Sequence, residues 1–130
     1  ILSVVRDGKP AAGAVTVVLS GNRVGRDALA NAAVRYVGLD GRPDDLAGDW
    51  PAHLMPWVSG NWQLLYRWRG DGPMPAADRA RLKEHVAKAQ ARGRKLRYWA
   101  TPEREAVWAE LRAAGVDLIG TDELDRLRAF

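Results

Sequence analysis

Residues 93–122, GRKLRYWATPEREAVWAELRAAGVDLIGTD, read as one strand–helix–strand unit. Lys95 to Trp99 is a short strand carrying Leu96, Tyr98 and Trp99. Thr101 suits an N-cap and Pro102 the first helical position, where a missing N–H costs nothing. Val107, Trp108 and Leu111 then recur at helical spacing and predict an apolar stripe. Gly115 fits the position just past the helix, where a positive φ is usual. Val116 to Ile119 predicts the second strand, closed by Thr121 and Asp122. Two strands joined by a crossover helix lie parallel, with a right-handed connection.

Outward from this unit the same alternation continues. Pro75 to Arg92 predicts a helix with Leu82, Val86 and Ala89 on one face, ended by Gly93. Ala14 to Leu19 is a β-branched run of the kind covered on both faces of a parallel sheet. Asp27 to Val34 predicts a short helix, Tyr36 to Leu39 a strand, and Asp40 to Pro43 a turn. From Asp44 to Pro51 the chain reads as loop with Leu46 as an anchor. Leu54 to Val58 is extended, and Pro56 argues for an edge strand or a loop lining. Asn61 to Trp68 is either an irregular helix or extended. Asp7-Gly8-Lys9-Pro10 signals a turn, and Ile1 to Val5 fits either a helix or a strand. Glu123 to Phe130 predicts a final helix with Leu124 and Leu127 inward. The order predicts an α/β fold with parallel strands and crossover helices.

The 130 residues fit a single domain with a modest core. With 47% apolar residues the chain is globular, and with no cysteine it has neither disulfides nor a thiolate metal site. It contains no 18-residue apolar run and no signal-peptide pattern. Cytosolic and secreted locations both remain open. The chain opens on Ile1, in mid-stream, and reads as a piece of a larger polypeptide. A net charge of +4 suits a phosphate-bearing partner. The helical run Arg79 to Lys88, interleaved with acids, reads more simply as a solvated face. No glycine-rich phosphate loop is present, Gly21 to Gly25 being too loose, and no nucleic-acid motif accompanies the aromatics.

The residues around Arg97-Tyr98-Trp99-Ala100-Thr101-Pro102 and the Gly115-Val116-Asp117…Thr121-Asp122 pattern carry a resemblance. So do Ser20-Gly21-Asn22, Asp40-Gly41-Arg42 and Ser59-Gly60-Asn61-Trp62. The chain resembles the C-terminal end of the phosphatidylinositol-specific phospholipase C and glycerophosphodiester phosphodiesterase superfamily. Within it, the chain looks most like the branch that includes the yeast altered inheritance of mitochondria protein 6. The resemblance implies the C-terminal half, about strands five to eight, of a (β/α)8 TIM-type barrel. It implies two catalytic histidines and, in the glycerophosphodiesterase branch, a divalent metal (Ca or Mg), all supplied by the missing N-terminal half. The isolated chain is then expected to bind no metal and to be inactive.

In parallel α/β folds ligands gather at the C-terminal ends of strands. That rule selects Ser20, Gly21 and Asn22, then Asp40 and Arg42, Ser59 and Asn61, Trp99 and Thr101, and Thr121 and Asp122. Turn chemistry explains the same residue types, and N-capping of the last helix explains Thr121-Asp122. Arg97 and Trp99 share one strand face, so a guanidinium fork and an indole wall would meet a phosphodiester or phospholipid headgroup together. A packing reading instead puts Trp99 in the core and pairs Arg97 with a carboxylate such as Asp40. Trp50, Trp57, Trp62, Trp68 and Tyr66 crowd one region; Trp62 suits a pocket wall, and Trp50 and Trp68 suit packing. Asn22, Asp40, Arg42, Ser59, Asn61, Trp62, Arg97 and Trp99 are the candidate substrate-binding set. The alternative is a non-catalytic α/β module that binds a phosphorylated ligand or a partner protein. A further alternative is a degenerate relative whose first half has lost its histidines.

Overall fold

A computed structural model describes residues 1–22 and 25–130. Five strands form one parallel sheet: β3 (Val17–Leu19), β5 (Val37–Gly41), β6 (Trp57–Asn61), β7 (Lys95–Trp99) and β8 (Leu118–Ile119). Their spatial order follows the order in the chain. A parallel sheet wound in one direction puts its right-handed crossovers on a single face. That is the arrangement of a barrel arc, and the fold is compatible with part of a TIM-type barrel.

The crossovers pack on that face. Between β6 and β7 run α2 (Trp62–Leu65) and α3 (Ala76–Gln90); between β7 and β8 runs α4 (Glu105–Ala114). Leu82, Val86 and Ala89 of α3 and Val107, Trp108 and Leu111 of α4 are all buried, as their spacing predicts. All of these but Trp108 share one core cluster with Val58, Leu96 and Tyr98 of the sheet, while Trp108 meets the ring of Phe130 edge-on. Gly115 ends α4 at φ 85°. The start of β7 is tied to the 3-10 helix Pro43–Ala47 by buried Arg94, which donates to the carbonyls of Asp45 (2.9 Å) and Leu46 (3.3 Å). Leu46 anchors this segment as expected, with 3% of its surface exposed.

Several boundaries differ from the sequence expectation. Pro56 does not demote its strand: it lies one residue before β6, which is paired on both sides. A proline at a strand entrance removes no ladder bond. Thr101 and Pro102 do not open α4, whose N-cap is Arg104. Instead Thr101 Oγ1 donates to the Gly120 carbonyl at 2.7 Å, a bond across the sheet that outcompetes capping. The first helix, α1 (Arg26–Ala30), is shorter than predicted, and Leu124 of α5 (Leu124–Ala129) is exposed rather than inward.

The N-terminal segment forms a second, antiparallel sheet in the order β2-β1-β4. It contains β1 (Val4–Arg6), β2 (Lys9–Ala11) and β4 (Val34–Arg35), with Asp7 and Gly8 both at positive φ in the β1–β2 turn. The Asp-Gly pair is the two-residue hairpin signal. Val34 was expected to end a helix; the ladder with Arg6 takes it instead. Among the described residues no helix is long and apolar enough to cross a membrane.

Candidate functional site

Side chains alternate across β7, so Leu96 and Tyr98 enter the helix-side core while Lys95, Arg97 and Trp99 point to the opposite face. Register aligns neighbours on that open face in rows. Asp40, Trp57 and Lys95 stand level across β5, β6 and β7. One step toward the C-terminal ends, Ser59, Arg97 and Leu118 form the next row. Arg42 continues the extended backbone one residue past the Gly41–Val58 pair, so it stands level with Ser59. Asn61 and Trp99 form the last row.

Two clefts open over these rows. The larger, about 570 Å³, is lined by Trp57, Arg97, Trp99, Leu118, Gly120 and Asp122 among others. The smaller, about 340 Å³, is lined by Arg42, Pro43, Ser59, Asn61, Leu65 and Trp99. Trp99 borders both and is 44% exposed, so it is a wall rather than core. Its position is set by the turn behind it. Ala100 takes φ 52°, a left-handed conformation that costs a non-glycine residue about 1 kcal/mol. The turn is held by the Thr101–Gly120 bond and by Gly120 N–H donating to the Tyr98 carbonyl at 2.7 Å. A Cβ at Gly120 would stand 2.8 Å from that same carbonyl oxygen, which is why glycine occupies the position.

The electrostatics of the open face are lopsided. Arg97 makes no hydrogen bond or ion pair among the described residues, and Asp40 is not its partner. Asp40 instead accepts from Ser20 Oγ at 2.7 Å through Oδ2, which also lies 3.3 Å from Arg42 Nη1. Arg42 is further held by the Gly41 carbonyl at 3.0 Å. Asp40 Oδ1, Ser59 Oγ and Trp57 Nε1 are buried without a hydrogen-bond partner. Buried polar atoms are normally satisfied, so three unmet groups on one face mark a place where a ligand or another segment belongs.

The predicted set is therefore partly gathered. Arg42, Ser59, Asn61, Arg97 and Trp99 line the two clefts, and Asp40 lies beneath them. Asn61 has a second task, since its Oδ1 caps Gln63 N–H at 2.9 Å at the start of α2. Asn22 follows β3 and lines neither cleft. Arg23 and Val24, within the loose glycine stretch, lie outside the described residues. Trp62 is corrected outright. It is fully buried on the helix side, stacks with Tyr66 and Tyr98, and donates to the Trp68 carbonyl at 3.0 Å. It enters a helix directly after β6, which turns it away from the mouth. Trp50 and Trp68 pack against or within the core, as read from the sequence. Thr121 accepts from Glu123 N–H at 2.9 Å and donates to Glu103 at 2.6 Å, so it braces the entry to α5 without capping its first turn. Trp57 was not singled out by sequence; strand alternation from Ser59 finds it once β6 is recognised.

The two histidines lie elsewhere. His85 is on the helix side, with Nδ1 2.9 Å from Tyr98 OH, and burial holds its pKa below the usual value. His53 meets Arg35 near the N-terminal ends of β5 and β6. Among the described residues no three His, Asp or Glu side chains gather as a metal would require. Asp40 Oδ1 offers one free oxygen, and one carboxylate does not make a divalent site.

No curated protein and no solved structure matches the chain. Residues 95–125, the β7–α4–β8 unit and the start of α5, are similar to the glycerophosphoryl diester phosphodiesterase family, whose model they match.

Proposed function

We propose that the chain is the C-terminal half, about strands five to eight, of a phosphodiesterase-like barrel, and that it holds the substrate of a glycerophosphodiester or phospholipase C-like hydrolase. The observation that carries this reading is the unpaired Arg97 guanidinium standing in register with the unpartnered Ser59 hydroxyl at the strand ends. A phosphate there takes a fork of N–H donors from Arg97 and an O–H from Ser59. Arg42, level with Ser59 on the other side, adds positive potential, while Asp40 orients it. Trp99 separates the two alcohol arms of the diester, one in each cleft, and Asn61 offers its amide N–H groups to the smaller arm. The family match over residues 95–125 supports the reaction class. Membership in the branch of the yeast altered inheritance of mitochondria protein 6 belongs to this proposal as well.

Cleavage of a phosphodiester needs a base or nucleophile and an acid at the two oxygens. Neither histidine reaches the clefts, so this reading assigns the proton transfers to the missing half and makes the isolated chain inactive. The described residues do not suffice to hold Ca or Mg. Complementation tests the reading. An upstream half-barrel bearing two imidazoles, mixed with this chain, is expected to cleave a glycerophosphodiester. Arg97→Ala should lower kcat/KM by about 100-fold, the loss of one charge-assisted phosphate contact of roughly 3 kcal/mol. An unchanged rate would remove Arg97 from the site.

A further inference from the structure

A third pocket, mostly apolar in its lining but carrying three polar side chains, lies at the other end of the sheet. It has a volume of about 300 Å³ and is lined by Ser3, Val5, Thr16, Gly38, His53 and Pro56 among others. Gly38 is near the start of β5 and Pro56 precedes β6, so this pocket sits at the N-terminal strand ends, away from the clefts around Trp99. Beside it is Arg35, which is 4% exposed and pairs through the backbone with the pocket residue Val5.

Arg35 is an anomaly. A buried guanidinium ordinarily has a carboxylate partner, because desolvating an unpaired charge is costly. Among the described residues Arg35 has none. Its Nε is buried without a partner, and its Nη2 is hydrogen-bonded to His53 Nδ1. A guanidinium has no acceptor, so His53 Nδ1 must accept. That leaves the ring proton on Nε2, and His53 is itself part of the pocket wall. Burial and the Arg35 charge both favour this neutral form. Ser3 Oγ and Thr16 Oγ1 of the same wall are hydrogen-bonded to each other at 3.0 Å, and with Ser3 as the donor the Thr16 hydroxyl proton is left for a ligand.

We propose that this pocket is a binding site for a small oxyanion, whose charge compensates Arg35 and whose oxygens accept from His53 Nε2–H and the Thr16 hydroxyl. The site is separate from the phosphodiester clefts and takes a free anion of phosphate size. It stands on the buried cation and the pocket beside it, and does not depend on the phosphodiesterase reading.

The sequence holds only two histidines, which makes the test direct. The whole chain is titrated with inorganic phosphate against sodium chloride at matched ionic strength, and the two imidazole C–H signals are followed by NMR. The expected result is a saturable shift of His53 with His85, on the helix side, unmoved. Arg35→Gln should weaken the apparent affinity at least tenfold, and an unchanged His85 signal verifies that this variant is folded. If Arg35→Gln does not fold, Thr16→Leu fills the pocket without removing the cation and should weaken phosphate by a similar factor. Arg97→Ala should leave the titration unchanged. No saturable shift at His53, an undiminished shift in Thr16→Leu, or loss of the shift in Arg97→Ala would each overturn the proposal.

Discussion

Replacing Tyr98 by Phe isolates the alternation of β7 on which the open face depends. Tyr98 is fully buried, and its hydroxyl lies 2.8 Å from Tyr66 OH and 2.9 Å from His85 Nδ1. Burial raises the pKa of both tyrosines, that of Tyr66 to about 12, so both hydroxyls are protonated at neutral pH. With His85 neutral, the chain of bonds runs from Tyr66 to Tyr98 to His85. Phe removes the central member and both bonds. Each is worth about 1 kcal/mol net, and Tyr66, 1% exposed, is left with an unmet group. The expected loss is about 2–3 kcal/mol. An unfolding entropy of roughly 2.1 cal/mol/K per residue over this chain makes that a fall in Tm of about 7–11 °C. Thermal unfolding followed by circular dichroism reads it. Tyr66→Phe and the double variant complete a cycle in which the two losses should be strongly non-additive. Arg97→Ala and Trp99→Ala, one residue to either side, should each cost less than about 1 kcal/mol, since neither belongs to the core cluster. Equal losses across all three positions would refute the assignment of faces.

Stability should also fall as the medium is acidified from neutral. Burial lowers the pKa of both His85 and His53 in the folded chain. Their neutral forms are therefore favoured by folding, so their contribution is complete above the unfolded value of about 6.5 and is lost as pH falls from there through the folded pKa. Urea midpoints at pH 7.5 and 5.5 read the change, and His85→Gln should reduce it. Trp108→Ala, at a fully buried position in α4, should cost about 3–5 kcal/mol through the cavity it leaves. Gly120→Ala should loosen the β7–β8 pairing and shift the emission of Trp99, because its new methyl group meets backbone at 2.8 Å.

The parts of the fold that were legible in the sequence are those fixed by local pattern. The α3 and α4 stripes, β7 and the Gly115 stop follow from spacing and backbone conformation alone. What sequence left open is decided by contacts distant along the chain. Thr101 satisfies every local rule for an N-cap, yet it bonds Gly120, 19 residues away. Val34 sits in a helical pattern and is captured by the ladder to Arg6. Pro56 reads as a breaker only until its place ahead of β6 is seen. The site shows the same division. The rule of strand ends finds Arg42, Ser59, Asn61, Arg97 and Trp99, because strand termini are local features. It fails for Trp62, whose direction depends on where β6 gives way to α2. It says nothing of Asp40 Oδ1 or Trp57 Nε1, whose missing partners are visible only in three dimensions.

The most direct test of the central claim is titration of the chain with glycerophosphocholine while the Arg97 Nε–H and Trp99 indole N–H signals are followed by NMR. Both signals should move together and saturably, and Ser59→Ala should weaken the effect. Shifts confined to residues away from the clefts, or none at either side chain, would contradict a phosphodiester site on the open face of this sheet.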